Sequence, residues 1–493
     1  MNQPGDLILV LDAGTTSTRA MAFDLAGGLR AVAQQTLTQH YPRAGWVEHD
    51  ADEIWQSTLA CAREVVDEAG GAARFACIGI ANQRETVVAW DKATGEPLHR
   101  ALVWQDRRTA DACAVLREAG HEAAVQAATG LMLDPYFSAT KMRWLIDHVP
   151  AVRDAARVGR LALGTVESWL VSKLTGGLFL SDAANASRTS LLPLGGAVFD
   201  AGLCDLFGVP AAALPEVVDN AGSYGATLPE WLGASIPITG LAGDQQAATI
   251  GQGCLSPGET KATYGTGAFV LANMGEAIPA SRHRLLGTVL VQLQGKRQYA
   301  LEGSVFVAGS LMQWLRDSLG LIASAGESEG LARSVADSGG VVVVPALSGL
   351  GAPHWKPDAR AAISGMSFAS TRAHIVRAAL EAMALQTHDL AAAFAGDGSA
   401  WSGLRIDGGM SANDWMAQDL ADMLDLEVER PHLVETTALG AAMLAALGAG
   451  LFASLEDAAT AMRGQVRRFV PGMEAPVRTA RLEAWHKALA ALV

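Results

Sequence analysis

An α/β fold of two duplicated halves, each a mixed sheet flanked by helices and facing the other across a cleft, is what this sequence predicts. Three observations carry the prediction. The 493 residues exceed what one hydrophobic core usually organises. A strand–turn–strand unit followed by further strands and helices occurs once near residue 7 and again near residue 259. Each copy carries a glycine-rich turn with a hydroxyl, "DAGTTS" in the first and "YGTGAF" in the second. Internal similarity at half the chain length marks two domains built alike, with a cleft between them. The boundary belongs at "GQGCLSPGE", where glycines and Pro257 break the pattern, so the domains are expected at residues 1–252 and 253–493.

Taken in order, "LILVLDAGTTSTRAMAFD" (7–24) reads as two apolar strands joined by a tight turn, and "RAVAQQTLTQHY" as the third strand of a meander. "DADEIWQSTLACAREVVDEAG" is helical: Asp50 and Glu53 have the spacing of a capping box, and Ile54, Leu59, Ala62, Val65, Val66 and Ala69 share one face. "FACIGIANQ" is a short, nearly unbroken apolar strand of the kind covered on both faces. In the second half, "ETKATYGTGAFVLANMG" repeats strand, turn and strand, while "LLGTVLVQLQ" and "RQYALEGS" add strands. "FVAGSLMQWLRDSLG" and "STRAHIVRAALEAMALQTHDLAAAF" are helical, and "LRIDGGMSAN" is a strand and glycine-rich turn opening the helix "DWMAQDLADMLD". The uncharged stretch "TTALGAAMLAALGAGLFASL" (436–455) is nearly long enough to cross a bilayer. Its Ala/Gly composition, its flanking Glu435 and Glu456, and a stop at Gly448 and Gly450 predict a buried helix on a sheet instead.

Composition narrows the function. Half the residues are hydrophobic and 18% are charged, as in soluble globular enzymes. A net charge of -14 opposes contact with a phosphate backbone, so no nucleic-acid partner is expected. Five cysteines without a C-x-x-C pair suggest neither a disulfide framework nor structural zinc and suit a reducing cytoplasm. "MNQPGD" lacks the basic and apolar regions of a signal peptide.

A glycine-rich turn between strands presents N–H groups and hydroxyls to an anion, and an adjacent carboxylate can hold the magnesium that a phosphate brings. Asp12 is therefore a candidate Mg²⁺ ligand, and Gly14, Thr15, Thr16, Ser17 and Arg19 are candidates for the nucleotide phosphates. An ordinary hairpin turn uses the same residue types. What favours phosphate is recurrence: the turn returns in the second half, and a third, "DGGMSAN", opens a late helix. No P-loop, dinucleotide fingerprint or H-R-D kinase loop is present, which disfavours the common nucleotide folds.

"LDAGTTSTRA", "YGTGAF" and "DGGMSAN" resemble the two phosphate motifs and the adenosine motif of the actin, hexokinase and heat-shock chaperone superfamily, whose domains are ribonuclease H-like. Within it, "YFSATKMRWLIDH" and "AAISGMSFASTRAHIVRAALE" resemble the two signature stretches of the FGGY carbohydrate kinases. "GWVEHD", "NQRET", "WQDRRT", "DPYFSATK", "NASRT" and "GLAGDQQAA" are similar to those of its glycerol-phosphorylating branch. The resemblance runs from about residue 7 to past residue 470. It implies ATP-dependent phosphorylation of glycerol to sn-glycerol 3-phosphate with Mg²⁺, by a cytoplasmic homodimer or homotetramer. The alternatives are a kinase of another polyol or ketose (erythritol, ribulose, xylulose) and a nucleotide-binding interaction protein of the actin or chaperone type.

The resemblance also implies roles. A triol needs bidentate hydrogen bonding and an apolar wall: Arg84 and Glu85 of "NQRET", Tyr136 and Gln245 would bind the hydroxyls, with Trp104 and Phe269 as the wall. Read singly, the first pair also fits a surface ion pair, and the aromatics fit a core. Asp244, after the apolar run "IPITGLAGD", would be the general base and a second Mg²⁺ ligand; an Asp there also fits a helix cap. Thr266 and Gly267 would serve the γ-phosphate, with Gly309, Gln313, Gly409, Ser411 and Asn413 around the adenosine. Ala13 replaces the usual Gln of "DQGTT", which predicts altered nucleotide affinity. "LPEWLGAS" lacks the Gly- and Arg-containing loop for a sugar bisphosphate, and residues 222–231 lack the histidine that relatives phosphorylate, so neither control is expected.

Overall fold

The computed structural model describes residues 5–356 and 358–492; the signal-peptide reading of "MNQPGD" falls mainly on residues 1–4, outside them. The first sheet begins with the expected meander of β1 (Leu7–Ala13), β2 (Ser17–Asp24) and β3 (Leu29–Thr36), antiparallel throughout. β4 (Phe75–Asn82) and β5 (Ile238–Gly243) extend it in parallel, giving the order β5-β4-β1-β2-β3.

All seven residues of β1 are buried because both faces are covered. Leu7, Leu9, Leu11 and Ala13 join one core with helix α1 (Ala51–Glu68), and Ile8 and Val10 join another on the opposite face. Each fully buried Leu or Ile there is worth about 1.5–3 kcal/mol. The alternation also aims Asp12 away from the α1 core, whereas the Ala13 side chain points into it. The Asp50 carboxylate accepts from the N–H groups of Asp52 and Glu53, so half of the capping box forms. Glu53 does not reach back, since its carboxylate is taken by the backbone and hydroxyl of Thr38.

Helix α2 (Asp244–Gly251) leaves the end of β5, and the second half follows with β6 (Glu259–Tyr264), β7 (Ala268–Gly275), β8 (Leu286–Leu293) and β9 (Lys296–Val305). Helices α3 (Gly309–Asp317) and α4 (Arg372–Gly396) lead to β10 (Gly403–Asp407), α5 (Asp414–Leu424), β11 (Val428–Pro431), α6 (Thr436–Gly448) and β12 (Val466–Phe469). This sheet has the order β8-β9-β7-β6-β10-β11-β12. Its inner strands β11-β10-β6-β7-β9 repeat the order and the directions of β5-β4-β1-β2-β3. The duplication is thus structural, with one extra strand at each edge.

α6 is the apolar stretch weighed above as a membrane span, and none of the described helices is long and apolar enough to cross a membrane. Although it belongs to the second half in sequence, it lies on β1, β4 and β5 of the first sheet and packs against α2. The small side chains have a reason. A Cβ on Gly440 would stand 1.8 Å from the Ala247 carbonyl oxygen of α2, and one on Gly240 would stand 2.4 Å from the Ala445 nitrogen. Backbone meets backbone there, which binds the two halves along one seam.

Candidate active site

β4 and β5 run parallel, so their C-terminal ends deliver Arg84–Glu85 and Asp244 to one edge of the first sheet. Asp244 is the first residue of α2 rather than its cap: Gly243 holds the cap position, while an Asp244 oxygen accepts the Gln245 N–H at 2.7 Å. Its side chain remains 32% exposed. Burial nevertheless raises its carboxyl pKa, against the lowering pull of Arg84 and Lys261, and the charge of Asp12 is felt there.

Arg84 is not a surface ion pair but the buried centre of a charge cluster. Its guanidinium donates to Glu302 at 2.6 and 3.1 Å and stands 3.4 Å from Asp244 and 3.9 Å from Glu85. Glu85, also buried, accepts from Arg188 at 2.6 Å, and Arg188 reaches Glu302 at 3.4 Å. Burial alone would raise the Glu302 carboxyl, but Arg188 and Arg84 draw it down to about 2. For Glu85, burial prevails over Arg84 and Arg188 and leaves it raised. Buried Lys261, its pKa lowered by burial, donates to the Gln245 side-chain oxygen Oε1 at 2.6 Å. Glu302 and Lys261 come from the second half and Arg84, Arg188 and Gln245 from the first, so the cluster bridges the junction.

Trp104 and Tyr136 meet edge to face with centroids 5.5 Å apart, and the Arg188 guanidinium lies 5.9 Å from the Tyr136 ring. Burial holds the Tyr136 phenol protonated. Phe269 is half-buried on β7 opposite Thr263 and Ser304, which puts it on the sheet face of Lys261 and Glu302.

The first glycine turn sits beside this cluster. The Trp104 indole N–H donates to the Thr15 hydroxyl at 2.9 Å; Gly14, Thr15 and Ser17 are half-buried and Thr16 is exposed. Asp12 is buried and accepts from Arg19 at 2.6 Å, and Arg19 turns its other nitrogen to Glu435 at the start of α6. Burial raises the Asp12 carboxyl against that guanidinium.

In the second turn Thr266 is exposed and Gly267 half-buried. Gly309 at the start of α3 donates to Gly265 O at 2.8 Å, so close that a Cβ on Gly309 would lie 2.5 Å from that oxygen. The third turn, after β10, bends at Gly408 (φ 86) over Tyr264. Gly409 has open space where a Cβ would go, whereas the Ser411 hydroxyl returns to Gly408 O at 2.7 Å and the Asn413 side-chain Oδ1 caps α5 by accepting the Met416 N–H at 2.9 Å. Gln313 is exposed on α3. Two groups thus assemble: a charged cluster with an aromatic wall beside the first turn, and the second turn with Gly309 and residues 408–413.

Lys261, Arg188 and Glu302 are missing from the candidates drawn from sequence. Their signal is a lone charge among apolar or small neighbours, as in "KATY" and "ALEGS", since a buried charge must be paired. Among the described residues no group of three or more His, Cys, Asp or Glu side chains is arranged to hold a metal. A cavity of about 460 Å³ lined by Val341, Val343, Leu385 and Val477 shares none of these site residues.

Residues 7–251 match the FGGY family of carbohydrate kinases, N-terminal domain, and residues 260–449 match its C-terminal domain. The glycerol kinase of Rhodospirillum rubrum is 54% identical over 488 residues, covering 98% of each chain. That of Rhodospirillum centenum is 53% identical over 485 residues, covering 98% of this chain and 97% of its own. Among solved structures, Plasmodium falciparum glycerol kinase with ADP superposes with a TM-score of 0.94 at 35% identity, covering 99% of this chain and 98% of that one. With both domains matched and such identity sustained from end to end, this chain belongs to the FGGY family of carbohydrate kinases.

Proposed function

We propose that this chain transfers the γ-phosphoryl group of ATP to glycerol, giving sn-glycerol 3-phosphate. The observation that carries the reading is the cluster of Arg84, Glu85, Asp244 and Gln245 beside an aromatic wall, in a chain 53–54% identical to glycerol kinases over nearly its whole length. Phosphoryl transfer asks a protein for positioning, charge stabilisation and a proton acceptor. Arg84, Gln245 and the Tyr136 phenol offer donors to the alcohol and Glu85 an acceptor, while Trp104 and Phe269 line its carbon edge. Asp244 accepts the hydroxyl proton. Its raised pKa moves it toward the range in which a general base works best.

Gly14, Thr15, Thr16, Ser17 and Arg19 meet the phosphates from one half and Thr266 and Gly267 from the other, with Thr266 donating as charge develops. Gly309, Gln313, Gly409, Ser411 and Asn413 surround the adenosine, Ser411 and Asn413 through the backbone their side chains brace. Asp12 and Asp244 fit Mg²⁺: they are two acids close enough for one to raise the other's pKa, and this ion takes one or two carboxylates and completes its shell with phosphate oxygens and water. When bound it neutralises charge on the phosphates.

The reading also takes the halves to divide at residues 252/253 and the enzyme to be a cytoplasmic homodimer or homotetramer. A coupled ADP-release assay across glycerol, erythritol, xylulose and ribulose tests the acceptor. Glycerol should give the highest kcat/KM; a preference for a ketose would refute it.

A further inference from the structure

His49, in the stretch "GWVEHD", is fully buried and takes no part in the chemistry above. Its two ring nitrogens face two glutamines. Nε2 lies 2.9 Å from Gln39 Oε1, and Nδ1 lies 3.3 Å from Gln83 Nε2. An amide oxygen only accepts and an amide nitrogen only donates, so Nε2 carries the hydrogen and Nδ1 is bare. One neutral tautomer satisfies both contacts.

The glutamines pass this constraint to the first glycine turn. Gln39 Nε2 donates to Thr15 O at 2.9 Å and to Leu37 O at 3.2 Å, and Gln83 Nε2 donates to Gly14 O at 3.0 Å. A second path leaves Gln83 by its oxygen, which accepts the Thr86 hydroxyl at 2.9 Å. Thr86 accepts the Trp104 backbone N–H at 3.2 Å, and the Trp104 indole closes the path on the Thr15 hydroxyl at 2.9 Å. The hydrogen bonds form a ring that starts and ends at the turn. Carbonyl oxygens repel phosphate, so a turn that receives one must have its carbonyls engaged elsewhere. Here those of Gly14 and Thr15 are held by amide donors.

We infer that His49 is a positioning residue: through Gln39 and Gln83 it holds the Gly14–Thr15 turn in its phosphate-receiving shape and ties that turn to the Trp104 wall. The inference rests on reading the turn as a phosphate subsite. A second proton on the ring would set an N–H against the Gln83 amide hydrogens and open the ring. Burial prevents this by lowering the His49 pKa to about 4, with Glu53 pulling it up and His40 pushing it down.

The test joins a spectroscopic and a binding measurement. Nitrogen-15 spectra of the wild-type enzyme at about pH 5.5, where an ordinary histidine is charged, should show His49 neutral with its hydrogen on Nε2; the signal is assigned by its absence from His49→Gln. An imidazolium, or the Nδ1–H tautomer, overturns the inference. Calorimetry should find ADP bound about tenfold more weakly by His49→Ala, which loses two buried hydrogen bonds, and several-fold more weakly by half-buried Gln39→Met. ADP affinity within about twofold of wild type in both variants overturns it. Gly14→Val separates the two levels: if it loses ADP while the His49 and Gln39 variants keep it, the positioning role fails and the subsite stands, whereas normal ADP binding by Gly14→Val removes the subsite and the inference together.

Discussion

Replacing Glu302 by glutamine keeps its volume and removes one of the two buried carboxylates, with Glu85, that both Arg84 and Arg188 reach. Removing one partner of a buried ion pair leaves an uncompensated charge and typically costs about 3–5 kcal/mol. The titration of Glu302 supports that size independently. A carboxyl drawn from its ordinary 4.5 down to about 2 corresponds to about 3 kcal/mol of preference for the charged form. Because the folded pKa is depressed, this stabilisation is fully present above pH 4.5 and is lost as the pH falls toward 2. At neutral pH the whole difference should therefore appear between wild type and Glu302→Gln in urea and thermal unfolding. A second effect follows from geometry: Arg84, freed from Glu302, lies 3.4 Å from Asp244 and should turn toward it, raising the KM for the alcohol. A loss below about 1 kcal/mol, the range of an exposed pair, would refute the claim that the cluster is buried and mutually dependent.

Three further outcomes are expected. Asp244→Asn should lower kcat by about 10² to 10⁴, the usual worth of a general base, while calorimetry finds ADP binding little changed; activity near wild type would remove Asp244 from that role. In the wild type, kcat/KM should fall with decreasing pH as Asp244 takes up a proton, at a higher pH than an ordinary aspartate would dictate because its pKa is raised. Burial and the neighbouring Asp182 push Glu167, held by Ser181, Thr165 and Asn82, up to about 7. Its contribution to stability is therefore present below pH 4.5 and lost as the pH rises through 7, so Glu167→Gln should gain on wild type by up to about 1.4 kcal/mol per pH unit across that interval; parallel unfolding curves for the two proteins would contradict this.

Much of the fold was legible because its signals are local. Apolar runs bounded by glycine turns predict β1, β2, β4, β6 and β7, and composition with flanking charges tells a buried α6 from a membrane span. The motifs carrying Arg84, Glu85, Trp104, Tyr136 and Asp244 were equally visible, and the structure brings these residues to one junction. Their electrostatic partners were not. A charged Lys261 or Glu302 whose immediate neighbours are small or apolar signals that a counter-charge exists without saying where. Ala13 is instructive in another way. Its side chain lies with Leu7, Leu9 and Leu11 in the core beneath α1, so strand alternation sends any effect of that position through packing rather than direct contact with a phosphate.

The sequence by itself determined the elements, their duplication and the glycine turns, because backbone preference and apolar periodicity act within a few residues. Tertiary structure alone decided that a helix of the second half covers the first sheet, where only hydrogen side chains allow backbones to touch at Gly240 and Gly440. It also decided that Arg84 pairs with Glu302, 218 residues away. Coulomb attraction and close packing depend on distance in space, and the chain order of the residues does not contain that distance.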